Sequence, residues 1–319
     1  MILEMTLSSA QPGRRLRKHN LKLSIMKSRL LLLIAICTMV LYSCNDKLTT
    51  APEYKIIFLH HSTGGVIWKG SSQSSMENLT RRISKNLSTI IAREPEMKKL
   101  INKINNQKGT NYQIEELIFP KERPYGWRNY PYDYYNIWVK NAGDQPYLEE
   151  PTLEMLTRDN KVIIFKHCFP VSNILDTLEY GDINSDIKTI ENYKLQYDAL
   201  KNKLLQFPET RFLLWTGAAQ VREAISPEEA ERAKVFFDWV TTEWDSPDDN
   251  IYLWDFYSLE TEGGIYMRNE FALSDTDSHP NKKFASRSVK LLVNRLIDII
   301  ETDGRKTRIT GEPFESLDH

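Results

Sequence analysis

Three cysteines in 319 residues are too few for a disulfide scaffold. Two of them, Cys37 and Cys44, fall in the N-terminal segment. Cys168 is then alone in the body of the chain, so the fold must rest on its core rather than on an internal disulfide. With only 13 glycines a collagen-like repeat is excluded. Gly64-Gly65 lacks the Lys-Ser/Thr that completes a phosphate-cradling loop. No His-x-x-x-His pair is present, so a helical metal-binding motif is missing. Basic charge is also short: after Cys44 the chain carries 35 Lys/Arg against 42 Asp/Glu. A net −7 body argues against nucleic acid as a partner, because phosphate binding needs clustered cations. What is present is 41% apolar and 27% charged residues, enough to bury a core and to exclude global disorder.

The N-terminus reads as an address. Met26-Lys27-Ser28-Arg29 is basic, Leu30 to Ser43 is a nearly unbroken apolar run of 14 residues, and Asn45-Asp46-Lys47 is polar. The run falls short of the roughly 20 residues a spanning helix needs, and the pattern is that of a secretory signal starting at Met26. Leu41-Tyr42-Ser43-Cys44 resembles a bacterial lipobox. That resemblance implies lipidation of Cys44 and a protein held at a membrane of the bacterial cell envelope. Residues 1–44 are therefore expected as a signal and lipoprotein segment, 45–53 as a tether, 54–301 as the folded domain and 302–319 as a frayed tail.

Within 54–301, short β-branched and aromatic runs alternate with helical patterns. Strands are expected at 54–59, 115–119, 161–165, 211–215 and 251–254. Helices are expected at 76–106, 148–157, 186–206, 227–244 and 281–301. Ser226-Pro227 gives the fourth of these an N-cap with proline at its first position. The alternation predicts an α/β fold, a five-stranded parallel sheet covered on both faces.

Ligands of such sheets bind beyond the carboxyl ends of the strands. Those ends carry His60-His61-Ser62-Thr63-Gly64-Gly65, then His167-Cys168-Phe169-Pro170-Val171-Ser172-Asn173, then Thr216-Gly217, then Asp255. Asp275-Thr276-Asp277-Ser278-His279-Pro280-Asn281 precedes the last helix. Of six histidines, four fall at this rim. Two chemistries fit. Ser62 can be a nucleophile if His279 takes its proton and an Asp orients the imidazole. Alternatively, the His and Asp residues hold a metal that activates water. Ser62 can also be a plain helix cap, and Cys168 reads as a small buried residue. Asp277, Asp275 and Asp255 all remain open as the orienting acid; Pro280 favours extended backbone at His279, and with it Asp277.

His-His-Ser-Thr-Gly after an apolar strand, with Asp-Ser-His-Pro-Asn before a C-terminal helix, resembles the SGNH (GDSL-like) hydrolase superfamily. The resemblance spans roughly residues 54–301. It implies a three-layer flavodoxin-like fold, with Ser62 as nucleophile and His279 as base. It implies no cofactor and no metal. For the oxyanion position it points to the Ser62 backbone N–H, Gly126 and Asn173. Read from the residues themselves, the turn at Gly64-Gly65 can offer N–H groups to an oxyanion, and His61 and His167 are further neighbours. The chain departs from the family pattern in having His61 before the serine, Thr276 three before the histidine, and His167 where Gly-x-Asn-Asp is usual. The implied activity is a serine esterase acting on a small-molecule or glycan ester. The aromatic segment 124–138 reads in two ways, as a sugar-stacking platform or lid, or as a long ordered loop packed on the sheet. The altered motifs leave a rival, a non-catalytic glycan-binding surface lipoprotein of the same fold.

Overall fold

The computed structural model describes residues 53–72 and 93–314. The signal segment with Cys44, most of the tether, the first half of the helix expected at 76–106, and residues 315–319 lie outside the described residues. Strand β1 (Tyr54–His60) is followed by a short helix α1 (Thr63–Lys69). Helix α2 (Glu96–Lys108) leads to β2 (Tyr112–Ile118). Helix α3 (Pro131–Tyr134), continued by a π-turn to Lys140, and α4 (Leu153–Asp159) precede β3 (Val162–Lys166). Then come α5 (Ile190–Leu204), β4 (Arg211–Trp215), α6 (Pro227–Trp239), β5 (Ile251–Trp254) and α7 (Phe256–Thr261). A hairpin of β6 (Ala272–Ser274) and β7 (Asp277–Pro280) precedes the last helix, α8 (Lys282–Thr302).

The five-stranded sheet has the order β2-β1-β3-β4-β5 and is parallel throughout. This is the flavodoxin-like arrangement, an α/β fold of three layers. Helices α1, α2 and α8 pack together. Helix α5 packs against α3 and its π-turn, and meets α6 through Tyr193 and Tyr197 on Phe236. β3 is buried at every position and reads Val-Ile-Ile-Phe-Lys, as a central parallel strand must. Aromatics fill the core: Phe58 stacks on Trp215 at 5.8 Å, and Trp215 meets Trp254 and Phe256 edge-on at 4.7 Å each. Burying each such side chain contributes about 2–3 kcal/mol.

Several boundaries differ from those expected, each for a local reason. β2 begins at Tyr112 rather than 115, because on an edge strand Tyr112 and Ile114 face inward while Gln113 and Glu115 are exposed, and this alternation dilutes the apolar signal. α5 begins at Ile190 rather than 186: Thr189 caps it, and the preceding loop is occupied by Gln196 and Asn192, whose amides bond the carbonyls of Ile183, Ser185 and Ile187. α4 begins at Leu153 rather than 148, after Pro151 and Thr152. α6 opens with a full capping box between Ser226 and Glu229.

The tail expected to fray is stitched to the body as far as Phe314. Asp298 accepts from Lys306 N and Thr307 N, at 3.0 and 2.7 Å. The guanidinium of Arg295 donates to the carbonyls of Gly304 and Thr307. Trp254 Nε1 donates to Thr310 O, and Asp255 N to Ile309 O, each at 2.9 Å. Composition alone cannot show such bonds, since they are made by residues of the preceding helix and of β5.

Candidate active site

The site lies beyond the carboxyl ends of β1 and β3, where the direction of strand ordering reverses and an open α/β sheet leaves a crevice. β1 runs out at His60, and α1 begins only three residues later. The chain makes that reversal at Ser62, whose φ of 45° and ψ of −107° lie where glycine is normally required. A serine held in such a conformation costs about 1–3 kcal/mol and points to a functional constraint. It is not a cap: among the described residues the hydroxyl makes no capping bond to α1.

Instead, the Ser62 hydroxyl meets Nε2 of His279. Nδ1 of the same ring lies 2.6 Å from Asp277 Oδ1, which also accepts the His279 backbone N–H at 3.0 Å. An ionised carboxylate can only accept, so the ring proton sits on Nδ1 and Nε2 is left as an acceptor for the serine hydroxyl. Burial pushes the Asp277 carboxyl up, but the hydrogen bonds from the His279 backbone and ring, with the electrostatic pull of that ring, outweigh it and hold it below the usual range. The side chains of His279 and Asp277 are 33% and 43% exposed, so the relay opens to solvent. Phe169 packs edge-on against the imidazole at 5.1 Å and covers one side of it.

The β6–β7 hairpin supplies the geometry of the acid. β7 is extended, so Asp277 and His279 project from the same side while Ser278 projects from the other and accepts the Val221 N–H at 3.0 Å. Asp275 sits in the hairpin turn and accepts from Asn269 at 2.8 Å. Asp255 caps α7 through the Ser258 N–H and accepts from Thr216 Oγ1 at 2.8 Å. Both are engaged elsewhere, and Asp277 alone among the three carboxylates bonds the imidazole.

The other expected neighbours are placed differently. Gly64 does not present its N–H to the cleft; it donates to His61 O at 2.8 Å. Its role is steric as well. A Cβ there would run into the His60 ring, 2.8 Å from Cγ, and lie 3.1 Å from Lys166 Cδ. Gly64→Ala is therefore expected to displace the Ser62 turn and lower stability by about 1–3 kcal/mol, an overpacking cost measurable by denaturant unfolding. The Gly126 N–H is spent on Glu122 O at 2.6 Å. The Asn173 amide faces Glu229 and Gln220, each at 3.4 Å, and makes no bond to Ser62. His61 bonds Pro120 O through Nε2, tying the end of β1 to the loop after β2. His60 is buried and pairs with Glu116 at 3.0 Å. Burial lowers its pKa, a shift that Glu116 opposes in part and Lys166 reinforces.

His167 is remote from this chemistry. Its ring is fully buried against Tyr134 and Tyr197, and burial pushes its pKa down to about 3, with Lys166 adding to the effect. Neither ring nitrogen has a hydrogen-bond partner among the described residues. The aromatic segment 124–138 is core rather than platform: Trp127, Tyr130, Tyr134, Tyr135 and Trp138 are buried, and Tyr125 and Tyr132 are half-buried. Two neighbours escaped the sequence reading, Phe169 beside His279 and Lys166 beneath the Ser62 turn. A lysine ending an otherwise apolar strand run is the one sequence signal that could have found the second.

Among the described residues, no group of three or more His, Cys, Asp or Glu side chains is placed to hold a metal ion. The arrangement can do one thing well: withdraw a proton from a serine hydroxyl through an oriented imidazole. Comparison of the chain with family models, with curated proteins and with solved structures found no match.

Proposed function

We propose that the protein is a serine hydrolase of the SGNH type that cleaves a carboxylic ester. The observation that carries this reading is the Ser62–His279–Asp277 relay, built on a strained turn at the rim of the sheet. In this mechanism Ser62 Oγ attacks the acyl carbon while Nε2 of His279 takes the hydroxyl proton, and Asp277 stabilises the imidazolium. The alcohol departs with that proton and leaves an acyl-Ser62 ester. Water then attacks, His279 again takes a proton, and the carboxylic acid is released with Ser62 restored. The chemistry needs neither metal nor cofactor.

Labelling with a fluorophosphonate, followed by peptide mapping, tests the reading. The expected adduct is on Ser62. An intact protein that stays unlabelled at concentrations that saturate other serine hydrolases would return it to the class of non-catalytic binding proteins, and loss of hydrolysis on chelation would favour a metal-dependent enzyme.

The substrate reading is an acyl group carried by a glycan or another small molecule at the bacterial cell envelope. It rests on the expected surface location, because the buried aromatic segment offers no sugar platform. The anchor itself is proposed at Cys44, in the segment outside the described residues. Among the described residues no helix is long and apolar enough to cross a membrane. Cys44→Ser is expected to move the protein from the membrane fraction to the soluble fraction, read by fractionation and immunoblot. A variant that stays wholly with the membranes refutes the anchor.

A further inference from the structure

Lys166 ends β3 and is fully buried. Lysine is rarely found so deep without a carboxylate, because desolvating an ammonium costs several kcal/mol. Here its nitrogen meets the His61 carbonyl at 3.5 Å, Cys168 Sγ at 3.4 Å and the face of Trp215, 5.6 Å from the ring centroid. A carbonyl oxygen, a sulfur and an indole face are what a cation seeks. The titratable groups facing it are His60 and His61 at the end of β1, His167 and Cys168 beyond its own strand, and Glu260 on α7 with Asp255 behind it. Such a costly group directly under the Ser62 turn calls for a function.

The His61 carbonyl belongs to the same peptide group as the Ser62 N–H. It accepts from Gly64 N–H on one side and from the Lys166 ammonium on the other. In a planar trans peptide the C=O and N–H point in opposite directions. With the carbonyl held inward towards buried Lys166, the Ser62 N–H points outward, to the side where the exposed serine hydroxyl sits. A cation on the carbonyl oxygen also polarises the amide and makes its N–H a stronger donor.

We propose that Lys166 is a positioning residue of this site: it fixes and polarises the His61–Ser62 peptide so that the Ser62 N–H serves as an oxyanion donor. This rests on Ser62 being the nucleophile. It also accounts for the departure at the end of β3, where Lys166-His167-Cys168 stands in place of a Gly-x-Asn-Asp loop. The donor is prepared from below by a charge rather than supplied from the side by an amide.

The rate of Ser62 phosphonylation by a fluorophosphonate, measured on wild type, Lys166→Met and Lys166→Arg, tests the proposal. Phosphonylation builds negative charge on an oxygen in the oxyanion position, so it reads the donor directly. Lys166→Met keeps the volume, removes the charge and is expected to fold. Its labelling rate is expected to fall about ten- to hundredfold, part of the loss seen when an oxyanion donor is removed outright. Lys166→Arg keeps the charge and should retain most of the wild-type labelling rate, which the neutral variant does not. Should Lys166→Met fail to fold, Lys166→Gln is read in the same way.

A fall in rate that Lys166→Arg shares in full reduces Lys166 to a packing residue and overturns the proposal, as does a wild-type rate in the folded neutral variant. If wild-type Ser62 is itself unlabelled, the serine reading fails and takes this proposal with it. That outcome differs plainly from normal labelling that is indifferent to Lys166.

Discussion

Ser62→Ala is expected to abolish hydrolysis of a small aryl acetate, with turnover falling on the order of a millionfold, as when a nucleophile is removed from a working relay. The fold should survive, because the hydroxyl makes no capping bond to α1 among the described residues and is exposed. Ser62→Gly sharpens the test. At φ 45° a glycine has no Cβ to strain, so this variant is expected to be more stable than wild type by up to about 1 kcal/mol while equally inactive. Stability gained together with activity lost is the signature of a residue kept in place for chemistry. Denaturant midpoints and initial rates on the three proteins check both halves. Wild-type activity in either variant ends the serine hypothesis, and a less stable Ser62→Gly removes the argument from backbone strain.

Asp277→Asn is the second large effect. The amide can present its NH₂ to the ring and so favour the wrong tautomer, leaving Nε2 protonated and unable to accept from Ser62. Turnover should fall by about 10⁴ with the binding of substrate little changed. Asp275→Asn should be nearly silent, since its carboxylate bonds Asn269 in the hairpin turn. Asp255→Asn should act on stability rather than turnover, through the cap of α7 and the bond from Thr216. Steady-state kinetics on the three variants separate the carboxylates. Equal and small losses in all three would mean that no side-chain acid orients His279 during turnover.

The parts of this site legible before the fold was known are those that depend on short-range rules. Ser62 stood out because a serine shortly before a Gly-Gly pair follows a buried strand, and the structure places its hydroxyl on the His279 ring. Asp277 was favoured over Asp275 because Pro280 biases His279 towards extended backbone, and β7 is extended there. For Gly126 and Asn173, position relative to a strand does not fix where an N–H or an amide points. Only the hydrogen bonds to Glu122, Glu229 and Gln220 reveal that. His167 counted as a rim histidine in one dimension, yet alternation along β3 turns its ring into the aromatic core.

Sequence by itself determined the layered α/β architecture, because five apolar runs alternating with amphipathic helices have few ways to bury their faces. It also determined that a serine and a histidine, 217 residues apart, end at the same rim of the sheet. Tertiary structure decided the rest: that the Ser62 turn is strained, that Asp277 is the carboxylate on the imidazole, that the tail to Phe314 is bound, and that a buried lysine lies beneath the nucleophile. The physical reason is one of range. Periodicity and caps are set by neighbours a few residues away, whereas the direction of a hydrogen bond and the depth of a charge are set by whichever distant segment packs against them.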